Sequence, residues 1–322
     1  MKIFSVCASI VGCVLGVGFL TGKELVVFFG TKSPFFVSSC FFLLFFLFVF
    51  LFLSLGKKYK TNDISVINKS IFGRFGIVFD FVFVATCFVS ISAMLAGSQV
   101  LFKTIVGGNF PFSLVVAFAC SVGLCFGVKT VKKLNLVFVP VVASLLFVAL
   151  FPSCKAGIVF KGNIAGVLKA LQYCCFNCML GCAMFLSCGK SLNLGQRLFC
   201  SFASCVVLTL LVFVVLSSAN NVGSDLPLLQ IARNNGYFVP YVAVTLLGIL
   251  TSLCSCGYTV VSCVEKRSND KVFSVAIVFI CAYLVSLIGF GKILSLTLPL
   301  SSSCAVVFVL FALIKQVFKN QK

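Results

Sequence analysis

The chain has 322 residues, of which 61% are hydrophobic and only 10% charged, and its mean hydropathy is +1.23. That little polar material cannot cover a water-soluble domain of this size, so the composition excludes a soluble fold and makes the bilayer the solvent. The net charge of +19 would suggest nucleic acid as a partner for a soluble protein, but the 25 Lys and Arg lie mostly between apolar runs, where they read as topology signal.

Apolar stretches bounded by charges, Gly or Pro predict ten transmembrane helices, at 3–29, 34–55, 77–101, 112–128, 134–151, 164–188, 197–218, 239–263, 272–289 and 292–314. Each is close to the roughly 20 residues that cross a hydrocarbon core, which leaves only short connections and no appended soluble domain. Ten spans divide as five plus five. An odd repeat inserts its second copy upside down, so the prediction is one transmembrane domain of two inverted repeats, about 3–151 and 164–314, with the site between them.

The first span carries Gly12-Cys13-Val14-Leu15-Gly16-Val17-Gly18-Phe19-Leu20-Thr21-Gly22-Lys23-Glu24, four glycines in eleven residues. Ile10 to Cys13 loosely imitates a lipoprotein signal, but the apolar run continues to Phe29, too long for a signal core. Taken singly, the glycines fit close helix packing. The Gly16-x-Gly18 pair, followed by Thr21 and Glu24 at membrane depth, points instead to a broken helix on a solute path. Such a break frees carbonyls of one half, including those of Leu15 and Gly18, for a cation, and amides of the other half for an anionic group. Solute would then meet Gly16, Val17, Gly18, Phe19 and Thr21. Glu24 is a candidate for proton coupling, as is Asp80 in the third span, which also fits a simple boundary charge.

The sixth span holds Gln172, Tyr173 and Asn177, the densest polar group in any span, beside Phe176. A buried amide needs partners or a wet cavity, so a second helix interruption is expected near Cys174 to Asn177, although no proline supports it. Cys175-x-x-Cys178 resembles a redox or metal motif, but the chain has no histidine and no second clustered pair at finger spacing. Small-residue packing explains it better, and most of the 19 cysteines lie in apolar runs as small hydrophobes. In the eighth span, Thr251, Ser252 and Ser255 either bond their own helix or, for Thr251 and Ser252, complete an oxygen cage with carbonyls of the first-helix break.

Placing the N-terminus in the cytoplasm puts 17 of the 25 Lys and Arg on the inner side, leaving Lys23, Lys32, Lys103, Lys155, Lys161, Lys169, Arg233 and Lys292 outside. That is the bias the positive-inside rule requires, with both termini cytoplasmic.

At Gly16 to Glu24 and at Tyr173-Cys174-Cys175-Phe176-Asn177 the chain resembles the YkvI-type bacterial membrane proteins, which carry GxGF-x-[ST]-G-x-E in the first helix and Y-x-S-[FY]-N in the sixth. The resemblance implies an all-α, LeuT-like fold of the amino acid–polyamine–cation superfamily, with broken first and sixth helices and, in many members, a sodium site between the first and eighth. Carried over, Gly16 to Thr21 line one break and Tyr173 to Asn177 the other. Leu20, Lys23 and Cys175 depart from the family pattern.

The expected function is a secondary transporter in a bacterial cytoplasmic membrane, moving a small solute such as an amino acid by alternating access with a Na+ or H+ gradient. No phosphate-binding loop appears in the sequence, and no cofactor beyond the coupling ion is expected. A non-transporting receptor on the same fold is the alternative. Enzyme activity is not expected, since His, GxSxG and HExxH are all absent. The expected partners are the lipid bilayer and the solute, with no nucleic acid.

Overall fold

A computed structural model describes residues 2–30, 33–61, 63–125, 128–154, 162, 164–219 and 226–319, with side chains described for all of these except 2, 128–135 and 315–319. Among the described residues every element is helical. The first span is three pieces, α1 (Lys2–Val14), α2 (Val17–Thr21) and α3 (Lys23–Phe29). There follow α4 (Pro34–Tyr59), a short surface helix α5 (Ile64–Phe72), α6 (Gly76–Val106), α7 (Phe112–Cys125) and α8 (Val128–Leu150). The second half comprises α9 (Ile164–Gly189), α10 (Leu194–Ser218), a short α11 (Pro227–Asn234), α12 (Phe238–Ser268), α13 (Lys271–Ser286) and α14 (Phe290–Lys319). Seven stretches of these helices are long and apolar enough to cross a membrane, and three shorter apolar ones, at Ile3–Val14, Phe112–Cys125 and Lys271–Ser286, stand where the remaining spans are predicted.

Local chemistry sets the helix starts. Pro34 and Pro227 open α4 and α11, where a missing N–H leaves no bond unmade. Asn193 and Gln196 form a reciprocal capping box on α10, and Asp270 accepts from Val272 N and Phe273 N at the start of α13. Within the spans, hydroxyls such as Ser38, Ser121 and Thr245 donate to carbonyls four residues back in their own helix, which keeps these donors from being stranded in hydrocarbon. Large apolar residues face outward, with Phe81, Phe118 and Leu300 at 75, 70 and 72% exposure, as lipid contact demands.

The neighbour relations carry the repeat. α4 packs along α9 while α1 packs along α10, so the second span meets the sixth as the first meets the seventh. Likewise α1 lies on α8 and α9 on α14, and α8 on α12 and α6 on α14. Each relation becomes its partner when the first five spans are exchanged for the last five. At the α4–α9 contact, a Cβ on Gly56 or Gly189 would overlap the backbone of Leu186 or Leu53, so glycine sets how closely the two helices approach.

One expectation is corrected. The sixth span is not broken: α9 is a continuous helix from Ile164 to Gly189. Between Gln172 and Leu180 it holds neither Gly nor Pro, and Asn177 Nδ2 donates to Tyr173 O, 3.0 Å away and four residues back, which reinforces the helix instead of opening it.

Candidate functional site

The first-helix break is real and is made by glycine. Helical bonding stops at Val14, Leu15 and Gly16 run between α1 and α2, and the chain turns again at Gly22, whose φ of 76° is left-handed. Thr21 Oγ1 donates to Gly18 O at 3.3 Å and accepts from Lys23 N at 3.5 Å, holding the second turn.

α12 closes on this break from one side. Ser252 Oγ lies 3.2 Å from Gly12 O and 3.0 Å from Leu15 O, and so ties the eighth span to carbonyls that the interrupted helix leaves open. Thr251 Oγ1 donates to Gly248 O at 3.0 Å, and a Cβ on Gly248 would stand 3.3 Å from Leu15 O. The Gly12 and Leu15 carbonyls thus meet the Ser252 hydroxyl, with Gly248 beside Leu15 O and the Thr251 hydroxyl next along α12, all neutral hard oxygens. Gly18, also expected in this cage, has further close neighbours. Its carbonyl receives the Thr21 hydroxyl, and its Cα lies so close to the Glu24 carboxylate that a Cβ would overlap it. The Gly12 carbonyl and Gly248 join Leu15 here only because α12 crosses the break at this level, which the sequence does not show.

On the other side of the break lies a cavity of about 40 Å³, enough for about three waters at the ~10–15 Å³ each requires. Gly16, Val17, Gly18, Phe176 and Asn177 of the expected solute contacts line it. Phe19, Thr21, Gln172 and Tyr173 do not: Phe19 is wholly buried in the core, Gln172 is half-buried on α9, and the Tyr173 ring packs against Phe28, Phe29 and Phe41 with its hydroxyl unpaired. Glu24 also lines the cavity. Asp80 is remote from it, accepting from Asn68 Nδ2 at 2.5 Å where α5 meets α6.

The remaining polar lining comes from residues that the sequence reading leaves out: Thr86 and Ser90 on α6, Thr297 and Ser301 on α14. A signal was present, since each pair is spaced i, i+4 and so shares one helix face. The cysteine cluster beside the site is all free thiol, and Cys174 Sγ lies 3.7 Å from Phe41 O in the α4–α9 contact.

One end of the path is shut. α11 lies across α2, and Leu228 is so close that a Cβ on Gly22 would come within 2.6 Å of its Cγ. Tyr241 Oη donates to Leu20 O at 2.6 Å, pinning α12 to the same piece.

No protein-family model and no curated protein matches the chain. Solved structures do. MhsT in complex with L-phenylalanine superposes with a TM-score of 0.72 at 13% identity, over 94% of this chain and 88% of that one. Mhp1, a nucleobase-cation-symport-1 family transporter in a closed conformation with bromovinylhydantoin bound, gives 0.68 at 10% identity, covering 94% and 75%. A mutant form of the Eremococcus coleocola manganese transporter gives 0.65 at 12%, covering 97% and 77%. At such identities the likeness speaks for architecture, and with the broken first span and the exchange symmetry of its contacts it makes this a multi-span membrane protein of LeuT-like fold.

Proposed function

We propose that the chain is a secondary transporter of a small solute, working by alternating access in a bacterial cytoplasmic membrane with its termini in the cytoplasm. The observation that carries this reading is the double use of one break. Its Gly12 and Leu15 carbonyls meet Ser252, while Gly16, Val17 and Gly18 line the cavity, so an ion on one side and a solute on the other would share one short stretch of backbone. The likeness to transporters of known structure supports it, as does the charge bias. The GxGF-x-[ST]-G-x-E stretch supports membership of the YkvI-type proteins within that reading.

The coupling ion proposed is a monovalent hard cation such as Na+, held by the oxygens of Gly12, Leu15, Gly248, Thr251 and Ser252. When bound, it would supply positive charge that draws these five oxygens together and fixes α12 to the break. Carbonyl and hydroxyl oxygens suit such an ion and no thiolate or imidazole is needed. The Thr251 hydroxyl now donates to Gly248 O and the Ser252 hydroxyl to the Gly12 and Leu15 carbonyls, so both would rotate to offer lone pairs.

A cavity of about 40 Å³ cannot hold an amino acid or a nucleobase, so the structure corresponds to a closed stage of the cycle. Loading would move α11 off Gly22 at one end or swing α1 away at the other. Uptake by proteoliposomes, driven in turn by a Na+ gradient and a pH gradient, tests the reading. Sodium-driven uptake that Thr251→Ala with Ser252→Ala abolishes is expected. Binding without any uptake would make the chain a receptor on the same fold, and uptake that follows only the pH gradient would dismiss the cation cage.

A further inference from the structure

The cavity at the break holds a carboxyl group that no described residue answers. Glu24 is 9% exposed, its carboxylate packs against the Cα of Gly18 at the cavity wall, and it has no hydrogen-bond or ion-pair partner among the described residues. No Lys or Arg lines the cavity. The adjacent Lys23 ammonium lies over the Phe290 ring, 6.0 Å from its centroid. A buried carboxylate without a counter-charge is strongly disfavoured, and a ligand that neutralises it gains what the protein withholds.

Three hydroxyls of the wall turn their lone pairs to the cavity. Thr86 spends its hydroxyl hydrogen on Val82 O at 2.8 Å, Ser90 on Thr86 O at 2.9 Å and Thr297 on Ile293 O at 2.6 Å, so each can offer only lone pairs to the cavity. Asn177 uses one amide hydrogen on Tyr173 O and keeps the other together with its own carbonyl oxygen, and Ser301 adds a hydroxyl. Phe176 adds an aromatic surface. The Glu24 carboxyl group, the lone pairs of three hydroxyls, the Asn177 carbonyl and a phenyl ring match a group that is positive and rich in N–H donors, and an ionised Glu24 repels a second carboxylate through like charge.

Resting on the transporter reading, we propose that the solute is a small organic cation, an ammonium or guanidinium compound with no carboxylate at that end, and that Glu24 is its counter-ion. Gly18 is then a positioning residue: only without a Cβ can it let the carboxylate lie at the break. This separates the two sides of the break by chemistry, with neutral oxygens for the coupling ion and the single carboxylate for the solute.

The test uses the purified full chain in detergent, with methylammonium and guanidinium chlorides as probes against acetate, acetamide and glycine at equal ionic strength. The two cations are expected to raise the thermal midpoint of the wild type and the other three are not. Glu24→Gln should weaken cation binding by at least a hundredfold, the scale of removing one partner of a buried charge pair. Should that variant fail to fold, Gly18→Ala, which keeps the charge but displaces it, should still lower cation affinity tenfold or more. Equal stabilisation by acetamide or acetate, or wild-type cation binding in Glu24→Gln, would overturn the proposal. So would Glu24-dependent stabilisation by Na+ alone with no response to either organic cation. Uptake of a zwitterion that survives Glu24→Gln sinks this inference and leaves the transporter; Glu24-dependent amine binding with no uptake does the reverse.

Discussion

Ser252 shares its single hydroxyl hydrogen between two carbonyls of another span, whereas most hydroxyls in this bundle bond only their own helix. Ser252→Ala should therefore destabilise by about 1 kcal/mol, between the ~0.6 typical of polar contacts within membranes and the ~1–3 of a fully orphaned buried group. That corresponds to a thermal midpoint lower by roughly 2–4 °C, together with loss of any sodium dependence. Ser255→Ala, which removes only the bond to Thr251 O in the same helix, should stay within about 0.5 kcal/mol of wild type. Equal shifts from the two would remove Ser252 from the cage. Gly22 offers a second test, because two separable effects meet there. Its φ of 76° charges any L side chain about 1–2 kcal/mol, and Leu228 blocks the space a Cβ needs. Gly22→Ala should lower stability by more than the backbone share alone, but in a Leu228→Ala background, which has its own cavity cost, it should cost only that share. A double variant as stable as Leu228→Ala alone would show that the backbone share is absent.

Between elements, the α4–α5 connection is held to the end of α12 by the ion pair of Asp63 with Lys266, and Asp63 also caps α5 by accepting from Ser65 N at 3.1 Å. Partial burial works to raise the Asp63 pKa, but the Lys266 ammonium and the Ser65 amide outweigh it and hold the carboxyl below its ordinary value. A carboxyl depressed in the fold stabilises it at every pH above the unfolded value of about 3.9, and that contribution disappears as pH falls through the lower native value. Asp63→Ala should accordingly cost about 1–2 kcal/mol at neutral pH, a cap plus an exposed pair, while Lys266→Met costs under about 1. The gap between Asp63→Ala and wild type, followed by thermal unfolding, should be flat from pH 7 to 5 and close only below about 4; a gap that closes near pH 6 would contradict the assignment. The same scale shows what the sequence could and could not reveal. The first-helix break was legible because four glycines in eleven residues make helix continuation expensive. The unbroken α9 was not, because Gln172, Tyr173 and Asn177 signal a polar environment and say nothing of whether the backbone opens. Asn177 meets both needs at once, bonding its own helix while facing the cavity. Thr86, Ser90, Thr297 and Ser301 stayed hidden since a hydroxyl that back-bonds and one that lines a site look alike until the helix faces are assembled.

For the molecule as a whole, the question is which end of the bundle faces the cytoplasm, since that decides whether α11 over Gly22 shuts an outer or an inner entrance. α6 has 31 residues, and at about 1.5 Å per residue it is roughly 46 Å long, more than the ~30 Å of a hydrocarbon core. Lys60, before α5, and Asn109, after α6, must then lie on opposite sides whatever the orientation. Lys57, Lys58, Lys60, Lys69 and Arg74 crowd the Lys60 side, while the Asn109 connection carries only Lys103 within α6's last turn. Retention of positive charge at the cytoplasmic face then puts Lys60 inside and Asn109, with α11, outside. Alkaline phosphatase fused after Asn109 should be active and the same enzyme fused after Lys60 inactive, with a cytoplasmic reporter giving the opposite pattern. The reverse result would invert the bundle, make the Leu228 contact at Gly22 a cytoplasmic gate, and require α1 to open outward. Activity at both positions would mean that α6 does not cross the membrane, which the five-plus-five arrangement cannot accommodate.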